Sequence, residues 1–310
     1  MIHRWSPTRG LPGITGAAVL VLTVIVTGCA VEQPQPAEEE ARPMNATNRH
    51  FFNTQFGDVH YIDVGSSETP PLVLLHQTPR SIDEFADVIP LLAVEHRVVA
   101  MDNPGYGCSD IPPRQPTVEE YADTVVELMD HLEIPSAVLV GHHTGAILAV
   151  DIAARYPDRV DKLALSGPHY MDAEMREMLL QISKQWTVQP NGSHMQEKWD
   201  KFSGWVDDPM VVHRVVTDLL RAGETSEYGH FSCAEYLMEN TLPKVNVPTL
   251  LIVGRGDIFA NTPKNVIFEE TIPDNEKVMI DGGIFLPTES PGPFAEVVLE
   301  FLRKDVQAGS

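Results

Sequence analysis

Basic side chains are scarce in this chain: 22 Lys and Arg stand against 44 Asp and Glu, and the formal net charge is −22. Such a surface repels phosphate backbones, which excludes nucleic acid as a partner. Cysteine is scarcer, with Cys29, Cys108 and Cys233 the whole supply. Cys108 and Cys233 read as two separate thiols, because two cysteines alone do not say that they meet. Histidine is not rare but it stops early: the last of 12 is His230. What is abundant is apolar surface. At 310 residues and 43% hydrophobic, the chain can bury one large core, or a core with an inserted subdomain.

Arg4 and Arg9 precede an apolar run over residues 16–26, and Val26-Thr27-Gly28-Cys29 closes it. This resembles a bacterial lipobox, in which small residues lead to the cysteine that receives lipid. Residues 1–28 are therefore expected to be a lipoprotein signal peptide, with Cys29 lipidated. Ala30, where inner-membrane lipoproteins carry aspartate, points to the outer membrane. The expected location is the bacterial cell envelope, facing the periplasm and touching membrane only through the N-terminal lipid. A plain signal peptide or anchor with an incidental cysteine is the competing reading. Residues 29–48, rich in proline and glutamate, read as a flexible tether.

From residue 50 onward short apolar runs alternate with helical patterns, which predicts an α/β fold with a mostly parallel central sheet flanked by helices. Strands are expected at 50–55, 59–64, 71–75, 97–101, 136–140, 162–165, 249–253 and 277–280. Ser81 with Glu84, and Thr117 with Glu120, have capping-box spacing for helices over 81–92 and 117–133. Residues 171–244 are helical throughout, a helical cap inserted between two strands, so the core divides into 49–170 and 245–310. Trp186, Trp199, Trp205, Met175, Met178, Met195 and Met210 would give this cap an apolar roof over a pocket or its own core.

The stretch Val140-Gly141-His142-His143-Thr144-Gly145 ends a strand and opens a helix with glycines on both sides. That is the layout of a nucleophile elbow, Gly-x-Ser-x-Gly, with His143 at the raised position. Four further stretches agree: Leu74-Leu75-His76-Gln77-Thr78-Pro79, Asp102-Asn103-Pro104-Gly105-Tyr106-Gly107, Gly254-Arg255-Gly256-Asp257 and Asp281-Gly282-Gly283-Ile284-Phe285. In this order and spacing, residues 50–303 resemble an α/β-hydrolase with a helical cap. The resemblance implies an oxyanion hole from the N–H groups of Thr78 and Thr144, with His76 and Gln77 in its loop, and Asp257 as the acid. It also exposes a departure. Ile284 stands where the catalytic histidine belongs, and no histidine follows Asp257, so no Ser…Asp…His order can be completed.

Three classes of function fit these residues. His143, with Asp257 or His169, acts as base or nucleophile on a small ester or other carbonyl substrate. Alternatively the pocket binds a small molecule without turning it over. The third, a histidine metal site, is disfavoured because His142 and His143 diverge at the elbow. Neither a metal nor another cofactor is expected. An elbow drifting into silence reaches glycine or alanine more easily than a titratable imidazole, which favours the enzyme.

Overall fold

A computed structural model describes residues 48–66 and 69–308. The expected signal peptide, Cys29 and nearly all of the tether lie outside the described residues. The strands are β1 (Arg49–Thr54), β2 (Gly57–Val64), β3 (Leu72–Leu75), β4 (Val98–Met101), β5 (Ala137–His142), β6 (Val160–Ser166), β7 (Thr249–Gly254) and β8 (Asn275–Ile280). They form one sheet in the order β1-β2-β4-β3-β5-β6-β7-β8. β1 and β2 make an antiparallel hairpin, β2 runs antiparallel to β4, and every other pairing is parallel.

β3 and β4 are buried on both faces, which is why they read as unbroken apolar runs rather than alternating ones. Successive side chains nonetheless go to opposite layers. Leu72, Leu74, Val98, Ala100, Val138 and Val140 pack with Phe85 and Phe294 on one face. Val73, Leu75, Val99, Met101 and Leu139 pack on the other with Val125, Leu128, Ile147 and Val150. Each such Val or Leu contributes about 1.5–3 kcal/mol by leaving water.

The helices are α1 (Ile89–Leu92), α2 (Val118–His131), α3 (Thr144–Arg155), α4 (Ala173–Ile182), α5 (Ser193–Ser203), α6 (Pro209–Ala222), α7 (Tyr228–Glu235), α8 (Val266–Thr271), α9 (Leu286–Glu289) and α10 (Pro291–Ala308). Thr117 and Glu120 form the expected capping box of α2, with bonds of 3.2 and 2.9 Å. The continuous helix expected over 81–92 is absent. A 3-10 turn covers Ile82–Phe85 and only Ile89–Leu92 is α-helical. Pro90 has no N–H to donate to a carbonyl one turn earlier, so it sits in the first turn of α1 and a helix cannot run continuously through it. Glu84, which a capping box would turn toward Ser81, is bonded to Gln77 instead.

Helices α4–α7 are inserted between β6 and β7, and they are not a separate body. Met175, Leu179, Cys233 and Ala234 join the cluster under α2 and α3. Phe202, Val212, Val215 and Leu219 form a smaller cluster that takes in Ile284 and Phe285 from the sheet side. The methionine roof is corrected: Met195 and Met210 are exposed, and Met175 and Met178 pack into the main core. Among the described residues no helix is long and apolar enough to cross a membrane.

Candidate active site

Sheet order places β5 beside β3, although β4 lies between them in sequence, so the sheet reverses its direction of growth at this pair. The carboxyl ends of such strands open a crevice. Here the loop after β3 and the turn after β5 face each other. The turn is tight. A Cβ on Gly141 would lie 2.3 Å from the Gly145 carbonyl, and one on Gly145 would lie 1.9 Å from that of Leu75. His143 sits between them with φ 46° and ψ −108°, a conformation costing about 1–3 kcal/mol and held by the packing around it.

His143 Nε2 lies 2.8 Å from Asp257 Oδ2. Asp257 follows β7, and its other oxygen accepts from the N–H groups of Phe259 and Ala260 at 2.9 and 3.0 Å. Burial works against ionising this carboxyl, but the His143 ring outweighs it and holds the group down at about 2. An ionised carboxylate only accepts, so Nε2 carries the hydrogen and Nδ1 keeps its lone pair. Burial likewise works against protonating His143, and Asp257 overcomes it, so its pKa is raised. Arg255 takes no part in this pair; it reaches Asp281 at 3.1 Å.

The other strand-end histidines divide. The His169 ring lies 5.2 Å from that of His143 and lines the same pocket. Burial first, and the neighbouring His143 second, bring its pKa down to about 4. His142 is fully buried away from the pocket. Its Nε2 donates to the Ile284 carbonyl at 3.1 Å, so Nδ1 accepts from the Ser166 hydroxyl at 2.9 Å. His76, expected in the oxyanion loop, lies behind it. Its Nε2 accepts from Asn103 N–H at 2.9 Å, which leaves Nδ1–H to donate to the Gln77 carbonyl at 2.8 Å.

Gln77 lines the pocket, yet its amide is spoken for: Nε2 donates to Glu84 Oε1 at 2.8 Å and to the Ile284 carbonyl at 3.2 Å. Glu84 Oε2 also accepts from Gln77 N–H at 2.8 Å. Glu84 is wholly buried, which pushes its carboxyl up to about 7 despite Arg80 nearby. Arg80 in turn reaches Asp218 on α6 at 2.8 Å.

Thr78 and Thr144 meet at the pocket floor. Thr78 N–H donates to Thr144 Oγ1 at 3.3 Å, a long bond. Thr144 opens α3, so its own N–H has no acceptor within the helix. Ile284 lines the pocket and packs in the apolar cluster of α5 and α6. The cavity is small, about 80 Å³, with walls from Leu179, Ile182, Phe202, Trp205 and Phe259.

Sequence reasoning missed Glu84, Glu227, His230 and Phe259. Glu227 and His230 also line this pocket and are bonded to each other at 2.8 Å. Their signal was a Glu-x-x-His spacing, which puts both side chains on one helix face. Elsewhere, His60, Asp102 and Cys108 bring donor atoms within 4.8 Å of one another. Arg49 donates to both His60 and Cys108 there, a cation placed where a metal would be repelled. Cys108 and Cys233 are free thiols.

Residues 70–291 match the family model described as alpha/beta hydrolase fold, and the chain belongs to that family. It is 22% identical over 264 residues to 3-oxoadipate enol-lactonase 2 of Acinetobacter baylyi, covering 82% of this chain and 98% of the relative. An uncharacterized carboxylesterase of Bacillus subtilis is 24% identical, with 82% and 86% covered. Among solved structures, a thermophilic esterase from Thermogutta terrifontis superimposes with a TM-score of 0.69 at 26% identity, covering 83% of this chain and 98% of the esterase. These relatives are hydrolases.

Proposed function

We propose that this protein hydrolyses a small, largely apolar ester or lactone with His143 as general base. The observation that carries this is the 2.8 Å bond from His143 Nε2 to Asp257, which leaves Nδ1 free to take a proton. A water held by Nδ1 attacks the carbonyl carbon and gives its proton to His143. The Asp257 carboxylate stabilises the imidazolium that forms. Charge on the carbonyl oxygen is met by the N–H groups of Thr78 and Thr144. Collapse breaks the C–O bond to leave acid and alcohol. The lactonase and esterase relatives support the same substrate class.

The test is turnover of a panel of small esters and lactones by wild type and His143→Ala. A loss of about 10²–10⁴-fold is expected in the variant. One observation favours a second reading, a binding protein without turnover: the Thr78 donor is already taken by Thr144. No turnover by wild type, together with tight binding of one ligand, selects that reading instead.

The same proposal places the protein on the envelope through lipid on Cys29. Cys29→Ala is expected to lose metabolic palmitate labelling and to leave the membrane fraction.

A further inference from the structure

We infer that Glu227 and His230 form a second histidine–carboxylate pair in the same pocket, in which His230 protonates the leaving oxygen. This rests on the hydrolytic reading above. His143 takes the water's proton at its one free ring nitrogen, on the attacking side of the carbonyl. A second group on the pocket wall gives the departing alkoxide a donor of its own as the C–O bond breaks. His169 is a poor donor, since burial and the neighbouring His143 keep its ring neutral at pH 7.

The first turn of α7 supplies the remaining candidate. Gly229 packs directly on the oxyanion loop: a Cβ there would lie 2.0 Å from Thr78 Oγ1, and its N–H donates to Tyr106 Oη at 2.8 Å. His230 is the next residue and lines the pocket. Glu227 is 6% exposed, and its Oε2 lies 2.8 Å from His230 Nδ1. Burial opposes its ionisation, but His230, then Lys201 and Lys198 of α5, outweigh it and lower its pKa. An ionised Glu227 accepts only, so Nδ1–H donates to it and Nε2 is the nitrogen that can hold and release a proton. The titratable groups facing the pair are Lys198 and Lys201 from α5, and His169, itself under the influence of His143.

In the step, the C–O bond breaks, its electron pair goes to the leaving oxygen, and the His230 Nε2 proton transfers to that oxygen. Solvent then returns a proton to His230 and removes one from His143, so the net reaction is ester plus water to acid plus alcohol.

The experiment compares ethyl acetate, whose alkoxide needs protonation, with 4-nitrophenyl acetate, whose phenolate leaves unaided. His230→Gln is expected to lose about 10²-fold more kcat/KM on the ethyl ester than on the nitrophenyl ester. Glu227→Gln, which keeps the histidine and removes the charge beside it, is expected to lower kcat/KM on the ethyl ester and to leave the nitrophenyl ester unchanged. Equal losses on both esters, or no loss on either, overturn the assignment while leaving the general-base reading standing. Wild type inactive on both esters overturns the two together.

Discussion

His143 and Asp257 are 114 residues apart in the chain and 2.8 Å apart in the fold, Nε2 to Oδ2. The histidine at the strand–helix turn is thus bonded directly to the acid at the end of β7, with no intervening side chain. The side chain raised on the turn is therefore held by a buried carboxylate from two strands away.

The pH dependence follows from the pair. His143 acts only when Nδ1 is unprotonated, and its pKa is raised above 6.5 because Asp257 overcomes burial. In wild type, kcat/KM is expected to rise with pH through a midpoint above 6.5. Asp257→Asn removes the anion that overcomes burial and leaves only Glu84 opposing it, so the midpoint moves to lower pH and the plateau falls. An unshifted midpoint on one ester would break the link between the two residues. Stability has its own signs. Asp257 is depressed to about 2, so its contribution is present above 3.8 and lost as pH falls toward 2. His143 is raised, so its contribution is full below 6.5 and is lost as pH rises through its folded value.

Gly167 guards the geometry of this pair. Its φ is +56°, and an added Cβ would lie 2.5 Å from His143 Cδ2 and 2.8 Å from Asp257 Oδ2. Gly167→Ala is expected to retain the fold while displacing the ring, and a shift of about 1 Å costs on the order of 10²-fold in rate. Activity within a few-fold of wild type, with an unchanged far-UV spectrum, would contradict this.

Exchanging two side chains is expected to rebuild the arrangement the family implies. His143→Ser combined with Ile284→His places serine on the turn, histidine on the pocket wall and leaves Asp257 free to accept from it. The double variant is expected to be labelled covalently by a fluorophosphonate reagent at the introduced serine. Ile284→His alone is not, because His143 keeps Asp257 and no hydroxyl stands at position 143.

Glu84 ties the oxyanion loop to the floor of the fold. Glu84→Ala leaves the Gln77 N–H without its acceptor and removes a carboxylate beside Arg80, which is fully buried. Breaking a buried network of this kind costs about 3–5 kcal/mol, measurable by urea denaturation. Burial raises the Glu84 carboxyl to about 7, so its contribution to wild-type stability is full below 4.5 and is lost as pH rises through about 7. Glu84→Gln is expected to flatten that part of the pH–stability curve.

Much of the fold was legible because its signals are local. Continuous apolar runs mark strands covered on both faces, and glycine is required at 141 and 145 because an added Cβ would lie 2.3 and 1.9 Å from a backbone carbonyl oxygen. The order of the landmark stretches located Thr78, Thr144 and Asp257 on the same side of the sheet. Other positions misled for an equally physical reason. Ser81 and Glu84 have capping-box spacing, but Glu84 is drawn to Gln77 by burial, and spacing alone does not say which partner wins. The cap methionines were apolar enough for a pocket roof, and packing sent them elsewhere.

The sequence by itself determined that a histidine occupies the raised turn and that no histidine follows Asp257. Both statements depend only on residue identity and order. Which group His143 answers to was decided by tertiary structure. The register of β5, β6 and β7 brings Asp257 within a hydrogen bond of the turn, Gly167 leaves room between them, and Ile284 puts no competing donor beside the carboxylate. The same is true of Glu227 and His230: their spacing is written in the chain, but their place in the pocket depends on α7 packing against Thr78. Hydrogen bonds are short-range and directional, so a partner more than a hundred residues away becomes a partner only when the sheet has formed.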